Sequence, residues 1–131
     1  MTMVADASGR LRAVVPIKVG IKKGITLRAE TDNDPAVTAA CRAIHAAFPV
    51  PGCFNVQLIK DRTGVVRPFE INPRISTTTC LALAAGVPFV DLYLDRAPAA
   101  AGGELAAFRD HMQLKRSWRN EFTVGGREVG A

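Results

Sequence analysis

Between Cys53 and Gly86 the chain has few ways to fold. The run CFNVQLIKDRTGVVRPFEINPRISTTTCLALAAG reads as strand, turn, strand, then a sharp Asn-Pro-Arg exit into an apolar helix. Cys53–Ile59 alternates, with Phe54, Val56 and Leu58 on one face and Asn55 and Gln57 on the other. Val65–Asn72 sets Phe69 and Ile71 against Glu70 and Asn72 in the same way. Asp61-Arg62-Thr63-Gly64 is turn chemistry, ending in a glycine that tolerates positive φ. A loop of two or four residues then places Gln57 beside Glu70 and Asn72. The opposite face is expected to pack Phe54, Val56, Leu58, Phe69 and Ile71. Pro73 keeps Asn72 extended, and Ser76–Thr78 are placed to cap a helix over about Thr79–Ala85. The first N–H groups of that helix favour an anion. Gly86 is its expected C-terminal cap, and Pro88 prevents continuation.

Two amides and a carboxylate thus converge on one surface, with Arg74 two residues further on. Polar residues on a half-buried hairpin are commonly its solvated face, but this set is also a hard-oxygen cluster able to hold Mg²⁺ against a polyphosphate. The ordered string resembles the C-terminal metal-and-phosphate segment of ATP-grasp ligases, most closely the branch similar to the carbamoyl-phosphate synthase large subunit. The residues that carry the resemblance are Gln57, Glu70, Asn72-Pro73-Arg74, Ser76 and Gly86-Val87-Pro88, and it extends from about Gly9 to about Leu94.

That resemblance implies an α+β fold, a C-terminal ATP-grasp subdomain with a mainly antiparallel sheet and helices packed on one face. It implies ATP and Mg²⁺ (or Mn²⁺) as cofactors, and a carboxylate substrate activated as an acyl phosphate and joined to an amine. Glu70 would bridge the metals, with Asn72 and Gln57 completing their shells. Arg74 would hold the transferred phosphoryl group, and Ser76 would orient substrate or phosphate. Lys18, Lys22 and Lys23 would lie near the nucleotide phosphates, where compact point charges serve well. Many members of the family carry an acid where this chain has Gln57, which leaves more of the metal ligation to phosphate and water. The glycine-rich loop and adenine hinge of the family's other half have no counterpart here, since the chain has neither a GxG nor a Walker A sequence. The expectation is therefore a half-site, inactive alone, that needs the N-terminal half or a partner chain. The rival readings are a non-catalytic nucleotide-binding or assembly module, and a basic nucleic-acid binder using Leu11–Arg28.

At 131 residues there is room for one modest core. The organisation expected is a core over residues 1–96, a flexible Ala-Gly loop over 97–103, and a strand extension with a frayed tail over 104–131. Within the core, Met3–Ala5 reads as a strand open to self-association. Leu11–Val19 is a second strand with an edge or bulge at Pro16, and Ile25–Arg28 a third. Pro35–Ala47 is an amphipathic helix burying Val37, Cys41, Ile44 and Phe48, with His45 beside that stripe. Phe89–Leu94 is a short helix with Phe89, Val90, Leu92 and Tyr93 buried, and His111–Trp118 a strand.

The formal net charge of +5 admits an anionic partner. Arg116 and Arg119 flank the one tryptophan, too little aromatic surface for nucleic-acid stacking. Three cysteines without CxxC spacing suggest reduced thiols and a cytoplasmic setting. No apolar run is long enough to span a membrane.

Overall fold

The computed structural model describes residues 1–22, 25–98, 103–117, 122–124 and 127–129. Its first strand, β1 (Thr2–Ala5), lies in the interior of a sheet, with all four residues buried. It pairs antiparallel with β2 (Leu11–Val15) on one side and β5 (Gly52–Lys60) on the other. The strand β6 (Val66–Asn72) completes the order β2-β1-β5-β6. The open edge expected at Met3–Ala5 does not exist. Met3 faces both Val14 and Phe54, so the backbone groups of β1 are already spoken for and that route to self-association is closed.

The α+β class and the antiparallel pairing are as expected, but helices cover both faces of this sheet, not one. Consecutive apolar residues in β1 and β2 make both faces hydrophobic, and each must be covered. Met3, Ala5, Val14, Phe54 and Val56 pack under Val37 and Cys41 of α1 (Pro35–Ala47). Val4, Ala13 and Val15 pack under Ala82 of α2 (Thr79–Ala84), Val87, and Phe89 and Leu92 of α3 (Phe89–Tyr93). Val90 and Tyr93, expected inside, are exposed. In this five-residue helix the buried side is held by Phe89 and Leu92, three positions apart. Phe48 is likewise exposed, because α1 ends at Ala47 and the chain leaves the helical path there.

Pro16 divides the expected long strand in two. Beyond it β3 (Ile17–Lys22) pairs with β4 (Ile25–Thr31) and, through it, β7 (Gln113–Lys115), forming a second sheet ordered β3-β4-β7. Proline has no N–H to donate, whereas its carbonyl accepts from Asp32 N at 3.1 Å. The strand expected at His111–Trp118 is thus only three residues long, and Trp118 and Arg119 lie outside the described residues. The tail expected to fray forms an antiparallel pair, β8 (Phe122–Val124) with β9 (Arg127–Val129). Residues 99–102 of the expected loop lie outside the described residues, and Ala97 is held by Arg12, whose Nη2 donates to Ala97 O at 3.2 Å.

Helix α1 starts as its sequence dictates, with Asp34 Oδ1 accepting from Ala36 N (2.9 Å) and Val37 N (3.3 Å), and Pro35 in the first turn. Asp34 also pairs with Lys60 at the end of β5. Replacing Asp34 by alanine is expected to cost about 1 kcal/mol, mostly through the lost cap, as a lowered urea midpoint with unchanged slope. A midpoint within error of wild type would show that the cap contributes nothing. After α2, Gly86 adopts φ +104, and Val87 N closes the helix end on Ala82 O at 3.1 Å. Among the described residues no helix is long and apolar enough to cross a membrane.

Candidate functional site

The polar cluster is set by the register of β5 on β6. Asn55 faces Asn72, Val56 faces Ile71 and Gln57 faces Glu70. The connecting turn is locked by Asp61 Oδ1, which accepts from Thr63 N, Thr63 Oγ1 and Val65 N at 2.9, 2.6 and 3.0 Å. Gly64 takes φ +86 there. Just past the Gln57–Glu70 pair the register shifts, so that Leu58 faces Pro68 and Phe69 is the extra residue of a bulge. Phe69 and Ile71, expected on a packed face, are 62% and 45% exposed. The bulge turns Phe69 outward, and β6 is the edge strand, with no strand among the described residues beyond it to cover either residue.

Gln57, Glu70 and Asn72 therefore share one face, as expected. Gln57 Nε2 donates to Glu70 Oε2 in a very short contact. Among the described residues no protein donor reaches Glu70 Oε1, and no protein group holds Gln57 Oε1. Asn72 Nδ2 is buried and has no partner among the described residues. In the same cross-strand row, Thr2 Oγ1 is also buried and unpartnered, and Asn55 between them donates through Nδ2 to Met1 O at 2.9 Å. The Asn72 carboxamide is thus not fixed by the protein, and its oxygen can turn toward a cation.

The residues beyond β6 are less gathered. Asn72 O accepts from Arg74 N at 2.8 Å in a tight turn, while among the described residues the exposed Arg74 side chain reaches only Ile75 O, at 3.3 Å. Ser76 Oγ lies 2.8 Å from Thr78 Oγ1 and 3.4 Å from Thr79 Oγ1, and Ser76 N donates to Thr79 Oγ1 at 3.2 Å. These hydroxyls bind one another, and α2 has no side-chain cap, contrary to expectation. With six residues it is also too short to offer an anion the field of a longer helix. Lys18 sits on the other sheet, in β3, with Nζ 2.9 Å from Asp32 Oδ2. The side chain of Lys22 and all of Lys23 lie outside the described residues.

Arg116 was not singled out by any sequence pattern as part of this region. Its guanidinium donates to Thr26 O at 3.0 Å and to Thr77 O at 2.7 Å, stapling the loop after β6 to β4. Thr77 lies 39 residues earlier in the chain, and no spacing rule connects the two.

Among the described residues no three His, Cys, Asp or Glu side chains converge as a metal cluster. The donors at this edge are one carboxylate and two carboxamides. That set suits a hard cation such as Mg²⁺ or Mn²⁺ arriving with phosphate oxygens, not a thiolate- or imidazole-seeking metal.

An antiparallel α+β unit of this kind is consistent with a subdomain of an ATP-grasp protein, the class that carries out ATP-dependent ligation. The family model described as ATP-grasp in the biosynthetic pathway with Ter operon matches residues 2–119, and the chain belongs to that family. No curated protein matches the chain.

Proposed function

We propose that this chain forms the metal-and-phosphate half of an ATP-grasp ligase that activates a carboxylate as an acyl phosphate and joins it to an amine, as in the branch similar to carbamoyl-phosphate synthase. The observation that carries the reading is the cross-strand pair Gln57–Glu70 with Asn72 on the same face, at the edge of a bulged sheet. Glu70 and the carboxamide oxygens of Gln57 and Asn72 would hold the cation. When bound, Mg²⁺ neutralises phosphate oxygens as charge develops in transfer. The exposed Arg74 side chain, engaged among the described residues only with Ile75 O, would swing onto the transferred group. Ser76 would orient substrate only by giving up a hydroxyl partner. Lys18 would exchange Asp32 for phosphate, with Lys22 and Lys23 following it along the chain.

With a single carboxylate the cation is held weakly until a nucleotide brings its own oxygens, so metal and nucleotide should bind together. The test is a calorimetric titration of a non-hydrolysable ATP analogue into the chain, with and without Mg²⁺. Binding that requires Mg²⁺ supports the half-site. Absence of binding by a folded chain would put the assembly-module reading ahead. The chain alone is expected to release no ADP from ATP, because the covering half of the grip is not among its motifs. Steady ADP release by the purified chain would overturn that part of the proposal.

A further inference from the structure

The second sheet carries a cleft of about 640 Å³, a volume typical of small-molecule sites. Among its lining residues are Lys18, Gly20, Arg28, Glu30, Gln113 and Lys115. These share one face of β3-β4-β7, since Lys18 faces Glu30, Gly20 faces Arg28, Arg28 faces Lys115 and Glu30 faces Gln113.

The charges divide into two ends. At one they are satisfied, with Glu30 accepting from Gln113 Nε2 at 3.1 Å and lying 3.0 Å from His111 Nδ1, and with Lys18 on Asp32. At the other, Arg28 and Lys115 stand directly opposite each other, and among the described residues neither has a carboxylate partner. Like charges directly opposed on a sheet are destabilising. Gly20, beside Arg28, contributes no side chain, so the space over the two cations stays open. A Cβ there would already stand 3.6 Å from Arg28 Cβ. A solvated sheet face explains the exposure of these residues. It does not explain two opposed cations over an open floor.

We propose that this end of the cleft is an anion-binding site for a phosphate or carboxylate group of a small molecule. The Arg28 guanidinium grips two oxygens and the Lys115 ammonium adds a point charge. Its two cations lie on β4 and β7 of the second sheet and Glu70 on β6 of the first, and Lys18, the lining residue that enters the proposed function, sits at the ion-paired end. Alternation along the chain sends Arg116 to the face opposite Lys115, and there it meets Thr77 in the loop that carries Arg74 and Ser76. An anion in the cleft is thus across the sheet from that loop. Its binding relieves the Arg28–Lys115 repulsion, so occupancy and stability are linked.

The test is thermal melting of the full chain with pyrophosphate or citrate, each against NaCl of matched ionic strength, for wild type, Arg28→Gln, Lys115→Gln and Glu70→Ala. At about ten times Kd the wild type and Glu70→Ala should melt roughly 4–7 °C higher. The Arg28→Gln and Lys115→Gln variants should lose that shift and, without ligand, melt no lower than wild type. A shift with pyrophosphate alone identifies phosphate as the group, and one with citrate alone identifies carboxylate. No saturable shift with either, or a shift that survives both glutamine variants, overturns the proposal. If those variants do not fold, broadening of the pyrophosphate ³¹P signal by wild type decides, and an unbroadened signal together with no citrate shift overturns it.

Discussion

Replacing Arg12 by alanine should cost about 3–5 kcal/mol, the usual penalty for removing one partner of a buried ion pair. The Arg12 and Asp6 side chains are only 4% and 5% exposed. Arg12 Nη1 lies 3.1 Å from Asp6 Oδ2 and 2.7 Å from Asp95 Oδ1. Arg12 is inward because of a bulge. Val4 faces Ala13 but Ala5 faces Leu11, so Arg12 is the residue left over. Asp6 is a heavily used acceptor, taking Ser8 N, Ser8 Oγ and Arg10 N as well. Burial pushes its pKa up, but the Ser8 hydroxyl, Arg10 N–H, Arg12 guanidinium and Ser8 N–H outweigh that and hold it well below the usual carboxylate range. Removing Arg12 leaves a buried carboxylate with a much poorer partner, Arg10 Nε at 3.4 Å.

The sign of the pH dependence follows. A carboxyl with a depressed folded pKa contributes stability that is complete above its unfolded value, about 3.9, and is lost as the pH falls toward the folded value. The gap between wild type and Arg12→Ala should therefore be widest at neutral pH and narrow as the pH falls below about 4, because Asp6 without Arg12 takes up its proton before the Asp6 of wild type does. Urea melts at pH 7 and pH 3 measure both. A gap under about 1 kcal/mol at pH 7, or one that widens in acid, would contradict the account. The double variant Asp6→Asn/Arg12→Met should recover part of the loss, since it removes both buried charges.

Glu70→Ala should weaken Mg²⁺-dependent binding of the ATP analogue by at least about 10–100-fold, the range seen when groups around a metal are removed. Glu70 supplies the one carboxylate of the Gln57–Glu70–Asn72 face, and among the described residues no cluster of acidic or other ligating side chains forms that could replace it. The residue is exposed, so the fold should survive and the far-UV spectrum should match wild type. Gln57→Glu tests the same geometry in the opposite direction. It places a second carboxylate directly across from Glu70, which lowers apo stability by a few tenths of a kcal/mol and tightens Mg²⁺. Unchanged metal-dependent binding in Glu70→Ala would remove this hairpin from the site.

Local patterns were enough for the hairpin and the first helix. Alternation in Cys53–Ile59 and Val65–Asn72, with the Asp61–Gly64 turn, set Gln57 beside Glu70 because side chains on a strand repeat every two residues. Asp34-Pro35 marked the start of α1 because its first N–H groups need an acceptor within a few residues. Membership of the ATP-grasp class was legible in the ordered string Gln57, Glu70, Asn72-Pro73-Arg74 for the same local reason.

What depends on contacts distant in sequence was not legible. The placing of β1 between β2 and β5 came from pairing with residues about fifty positions away, and the bulge that exposes Phe69 came from a register shift. The inward turn of Arg12 toward Asp95 joins residues 83 apart, and the opposition of Arg28 to Lys115 joins strands from the two ends of the chain. Sequence periodicity reports which face of an element is apolar. Which element covers that face, and which two charges meet across strands, is fixed only when the whole chain packs.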